Sequence, residues 1–132
     1  MSSTELPLAR SREEVRAARA LLDAGFPSQA VSHAFWAAYQ AATAALHAIG
    51  EAPATRAGVL SAFSREVVGD GGLEHDIGRS LRKLFEDRNY IDHALGQAPE
   101  GEAQTAIASA DRLVDATARW IEARSAAGSA DD

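Results

Sequence analysis

An all-α architecture, four to five antiparallel helices in one bundle, is the fold class that this 132-residue sequence predicts, on three observations. Thirty alanines stand against eleven Val plus Ile, a balance that favours helix over sheet. Apolar residues recur at three-and-four spacing through each long segment, the period of a half-buried helix. Gly25 to Pro27, Gly50 to Pro53, Gly69 to Gly72 and Gly96 to Pro99 punctuate the chain, so connections are short and sequential helices pack antiparallel. The chain reads as a single domain over 1–132, with an ordered core over 7–125 and a flexible acidic tail over 126–132.

The first helix is expected from Pro7 to Asp23, with Val15, Ala18 and Leu22 inward, an Arg/Glu-rich face outward, and Gly25 ending it. Pro27 and Ser28 open a long second helix whose broad stripe is Val31, Ala34, Phe35, Ala38, Ala42, Ala45, Leu46 and Ile49. Its alanines let a neighbouring helix approach closely. Pro53 and Thr55 start a shorter helix carrying Val59, Leu60, Phe63 and Val67, closed by the glycines at 69 to 72. That glycine run lacks the Lys-Ser/Thr and the preceding strand of a phosphate-cradling loop, so it is a connection only. A fourth helix spans Leu73 to Leu95, and a fifth spans Glu102 to Arg124 with Ile107, Ala110, Val114, Thr117 and Ile121 inward.

Composition narrows the chemistry. The chain holds no cysteine, which excludes disulfides, thiolate catalysis and Cys-ligated metal centres and fits a cytoplasmic setting. No apolar run is long enough to span a membrane, and the first twelve residues lack a secretion-signal pattern. His33, His47 and His75 have no helical carboxylate–histidine spacing of the di-iron kind, so neither a metal nor another cofactor is expected. A net charge of −6 argues against a broadly basic polyanion binder; any nucleic-acid contact is local. Twelve of the thirteen cations are arginines, the planar fork suited to phosphate, with Lys83 the exception.

One arginine stands out. Ile77, Leu81, Leu84, Ile91 and Leu95 follow a 4-3-4-3-4 rhythm whose missing central position is Arg88. A guanidinium in an apolar stripe needs a carboxylate partner on a neighbouring helix, a snorkelling path to water, or an anionic ligand. Asp92, four residues on, is within reach of it. His93 lies five residues on, about 7.5 Å along an ideal helix axis and about 140° around it, so the two side chains share no face. A long guanidinium bending around the helix, or a second copy in a dimer, would unite them. Arginine holds phosphate in bidentate fashion, and a histidine titrating near neutrality moves the proton of a ribose 2′-hydroxyl. Arg82, Lys83 and Tyr90 are candidate RNA contacts. Phe35, Trp36 and Tyr39 are expected to fill the core or a dimer seam; a base-stacking platform is the sharper alternative.

Arg88-Asn89-Tyr90-Ile91-Asp92-His93 resembles the R-x4-6-H motif of the HEPN superfamily. The likeness extends over about residues 10 to 95. Leu21-Leu22-Asp23-Ala24-Gly25 followed by Ala30-Val31-Ser32-His33-Ala34-Phe35-Trp36-Ala37-Ala38-Tyr39 is similar to the helix hairpin of a small bacterial HEPN subfamily, and Thr55 to Leu60, Phe63 and Leu84 to Arg88 continue it. The resemblance implies a metal-independent endoribonuclease, the toxin of a toxin–antitoxin or defence system, acting as a homodimer with a composite site at the subunit seam. It assigns phosphate binding to Arg88 and general acid/base chemistry to His93, with Asn89 and Asp92 in support, and it implies a nucleotidyltransferase-type antitoxin as partner. Where that subfamily carries histidines this chain has Gln40 and Arg56. Leu95 stands where the toxin branch has the tyrosine that becomes adenylylated. The acidic total also fits a second class, a non-catalytic HEPN module that binds a protein or nucleotide.

Overall fold

The computed structural model describes residues 5–94 and 97–131, apart from the side chains of 92–94 and 128–131. Its helices are α1 (Glu5–Asp23), α2 (Pro27–Ala48), α3 (Arg56–Ala62), α4 (His75–Ala94) and α5 (Glu100–Asp131), with a π-helical stretch, Phe63–Gly69, continuing α3. No strand occurs among the described residues, so the all-α antiparallel bundle expected from the alanine-rich composition is the observed fold. The boundaries follow the punctuation. Gly25 and Gly50 take φ of +91° and +81°, the left-handed region where a Cβ is strained, and there the chain leaves α1 and α2. Thr55 caps α3, its Oγ1 accepting from the Gly58 amide at 3.0 Å.

α2 is the axis of the molecule. Its expected stripe is buried through Leu46, with Ile49 half-buried, but burial runs further round: Ala30, Ala37, Ala41 and Ala44 are inside as well. α1, α4, α5 and the α3 segment all pack on it. Alanine on nearly every face lets those backbones come close without a void. Val15 and Ala18 of α1, Ile77, Leu81 and Leu84 of α4, and Ile107, Ala110, Val114, Thr117 and Ile121 of α5 complete the core, each on its expected stripe.

Two features depart from the spacing. The third helix does not stay α-helical, because Phe63, Val67 and Val68 are all buried and a π turn, with i to i+5 hydrogen bonding such as Asp70 N–H to the Arg65 carbonyl at 3.0 Å, brings all three inward. α5 passes Arg124 and runs through 126–131, the segment read from the sequence as a tail; Ala126 and Ala127 sustain it by intrinsic propensity. Leu95 lies outside the described residues. Surface ion pairs stitch the perimeter: Arg19 to Asp111 at 2.9 Å joins α1 to α5, and Arg112 grips Asp76 and Glu74 (the latter at 2.9 Å) at the start of α4. The amide of Ala98 donates to Ser28 Oγ at 3.0 Å, which ties the chain just beyond α4 to the first turn of α2.

This packing makes two predictions. Ala42→Leu overfills the α2 interface and lowers unfolding free energy by about 1–3 kcal/mol, whereas Ala108→Leu on the exposed side of α5 stays within about 0.5 kcal/mol; urea titration of both variants checks this. The Arg112 guanidinium hydrogen-bonded to Asp76 holds that carboxyl below the ordinary aspartate range. A depressed folded pKa contributes stability that is in place above about pH 4 and lost as pH falls through the folded value. Thermal melts from pH 7 to pH 2 therefore show a shallower acid loss for Asp76→Asn than for wild type, and superimposable profiles would contradict the pairing.

Candidate functional site

The rhythm of α4 directs Arg88 at α2, and the residues waiting there are aromatic. Phe35 is fully buried, and Trp36, Tyr39 and Phe85 pack round it with ring centroids 5.3, 5.6 and 5.9 Å from its own. Trp36 and Tyr39 also meet edge to face at 5.6 Å. The half-buried Arg88 lays its guanidinium over this cluster, Cζ being 4.8 Å from the Trp36 centroid and 5.4 Å from that of Phe35. An arginine can hold a stripe position here because its planar head faces the negative ring surface, an attraction of about 0.5–2 kcal/mol per ring.

Trp36 carries a second cation. Arg56, the first residue of α3, sits 5.0 Å from the same ring centroid. The two Cζ atoms are therefore no more than about 10 Å apart, where like charges repel by on the order of 0.5–2 kcal/mol near a protein surface. The ring attraction is of the same size, so the indole can hold both guanidiniums together. Arg56 is exposed, and no carboxylate among the described residues pairs with it. Periodicity could not find this pair, because Arg56 and Trp36 lie on different helices and only the return of the chain from Gly50 to Thr55 brings them together.

The other sequence candidates spread around α4. Asn89 is half-buried beside Arg88, and Tyr90 is 65% exposed and edges a cleft of about 400 Å³ with Val31, Ile91, Ala98 and Pro99. Lys83 donates to Asp87 at 2.9 Å, which holds its ammonium pKa above the ordinary lysine value, and both residues line a groove between α4 and α5. Arg82 turns to a different side, into a shallow depression with His75, Arg79 and Ser64. The aromatic shelf thus gathers Arg88 and Arg56, and it does not gather Arg82, Lys83 or Tyr90. The backbone at His93 and Asp92 is helical, as part of α4, but both side chains lie outside the described residues. Among the described residues no three His, Asp or Glu side chains form a metal-binding group, and no helix is long and apolar enough to cross a membrane.

The family model described as "HEPN domain" matches residues 4–120. A Thermotoga maritima protein named "UPF0332 protein" is 31% identical over 114 residues, covering 86% of this chain and 86% of the relative. A Methanocaldococcus jannaschii protein named "Putative toxin MJ0605" is 30% identical over 105 residues, covering 80% of this chain and 78% of the relative.

The aromatic shelf makes its own prediction. A double-mutant cycle with Trp36→Leu and Arg88→Met, read by denaturant unfolding, gives a coupling of about 0.5–2 kcal/mol; strict additivity would show that the observed stacking contributes nothing to holding the arginine.

Proposed function

The chain belongs to the HEPN domain family, and from that premise we propose that it is a metal-independent endoribonuclease serving as the toxin of a toxin–antitoxin or defence system. The observation that carries this reading is Arg88, a guanidinium built into the apolar stripe of α4 and held by stacking on Phe35 and Trp36. The relative named "Putative toxin MJ0605" supports the toxin role.

In the proposed reaction Arg88 binds the non-bridging oxygens of the scissile phosphate and offsets the charge that grows on them. His93 accepts the proton of the ribose 2′-hydroxyl as that oxygen attacks phosphorus. The phosphorus–5′-oxygen bond breaks, and a protonated imidazole of the composite site supplies the proton to the leaving oxygen. The products are a 2′,3′-cyclic phosphate and a 5′-hydroxyl. Two copies of α4 at a homodimer seam place one Arg88 and one His93 from each protomer in a shared cleft, which resolves the 140° that separates the two side chains on one ideal helix. Asn89 positions the arginine or the RNA, and Asp92 orients the site. Arg82, Lys83 and Tyr90 contact flanking nucleotides. A nucleotidyltransferase-type antitoxin is the proposed partner, with Leu95 requiring a mode of silencing other than adenylylation of a tyrosine at that position.

Incubation of single-stranded RNA with the purified chain in EDTA tests the proposal. Wild type cleaves, and Arg88→Ala and His93→Ala each lose about 10²–10⁴-fold in rate. Cleavage that survives in both variants, or that needs added metal, overturns the mechanism. RNA left intact by wild type points instead to a non-catalytic HEPN module.

A further inference from the structure

We propose that Arg56 is a second phosphate-binding residue of the Arg88 site, the two guanidiniums on Trp36 forming a clamp for successive phosphates of one RNA strand. The inference rests on the ribonuclease reading and adds to it a residue from outside the α4 motif. Two observations and one argument from chemistry carry it. Arg56 and Arg88 approach one indole, at 5.0 and 4.8 Å from its centroid, so their heads are within about 10 Å of one another. Arg56 is exposed, with no carboxylate pairing it among the described residues, whereas Arg12, Arg19, Arg65, Lys83 and Arg112 each meet an acidic side chain. An anionic strand lying across both heads gains a bidentate contact from each guanidinium.

Trp36 is the positioning residue of the clamp. Its ring faces are used by cations, so it sets the spacing of the two arginines and is not a platform for a base. Arg88 takes the scissile phosphate and Arg56 the neighbouring one. A role in which Arg56 merely covers the indole would change stability and leave RNA affinity and its salt dependence alone.

The experiment measures binding of the full chain to a single-stranded 2′-O-methyl RNA oligonucleotide, which lacks the attacking hydroxyl, by anisotropy across a series of salt concentrations. Cleavage of the unmodified oligonucleotide and thermal melting run alongside. Arg56→Gln weakens binding about tenfold at low salt and flattens the slope of log K against log salt by about 0.7 for each Arg56 withdrawn, with an unchanged melting temperature. Arg56→Lys restores the slope, since the charge returns. Wild-type affinity and slope in Arg56→Gln, in a chain that cleaves RNA, overturn the clamp alone. Weakened binding that tracks a lowered melting temperature in Arg56→Gln and is not restored in Arg56→Lys also overturns it. A wild-type chain that neither binds nor cleaves RNA overturns the ribonuclease proposal and the clamp with it.

Discussion

Burial of α2 on almost all sides is the constraint from which the rest of the molecule follows. A helix with alanine at 30, 34, 37, 38, 41, 42, 44 and 45 has little apolar area of its own to contribute per residue, yet every one of these positions is inaccessible to solvent. Its contribution is closeness: small side chains let the larger residues of α1, α4 and α5 reach across and interdigitate. Phe35 and Leu46 are the large exceptions, both fully buried, Phe35 near the middle of α2 and Leu46 near its C-terminal end. The aromatic stretch is where α4 delivers its arginine.

That delivery is what separates Arg88 from a misplaced charge. In a purely aliphatic seam a guanidinium would have to leave the stripe for water. Over Phe35 and Trp36 it stays half-buried, with its head against the rings. Trp36 also draws Arg56 from the start of α3, so one indole organises cations from two helices. The cap at Thr55 fixes where α3 begins, and hence where Arg56 stands.

The acidic total acquires a local meaning through the same geometry. Carboxylates are distributed so that they meet cations along the perimeter, at the α1–α5 seam and at the start of α4. The guanidinium groups of Arg56 and Arg88 gather instead at the aromatic shelf. A net charge of −6 is thus compatible with a local gathering of guanidinium groups.

The sequence by itself determined the helices, their stripes and the anomaly at Arg88, because those are properties of spacing along one segment: Val15 with Ala18, Ile77 with Leu81 and Leu84, Ile107 with Ala110 and Val114 are each read within a single helix. It determined the stops equally well where a glycine must adopt positive φ, at Gly25 and Gly50. The π turn over Phe63–Gly69 was not legible, since inward residues at 63 and 67 fit an α-helix until Val68 is also required inside. Nor was the shelf. Trp36 read from sequence as a residue of the core, a dimer seam or a base-stacking platform, and Arg56 only as a departure from a family histidine. Tertiary structure alone decided that Trp36, Arg56 and Arg88 meet, because a contact among three helices depends on how their backbones are packed and not on any period within one of them.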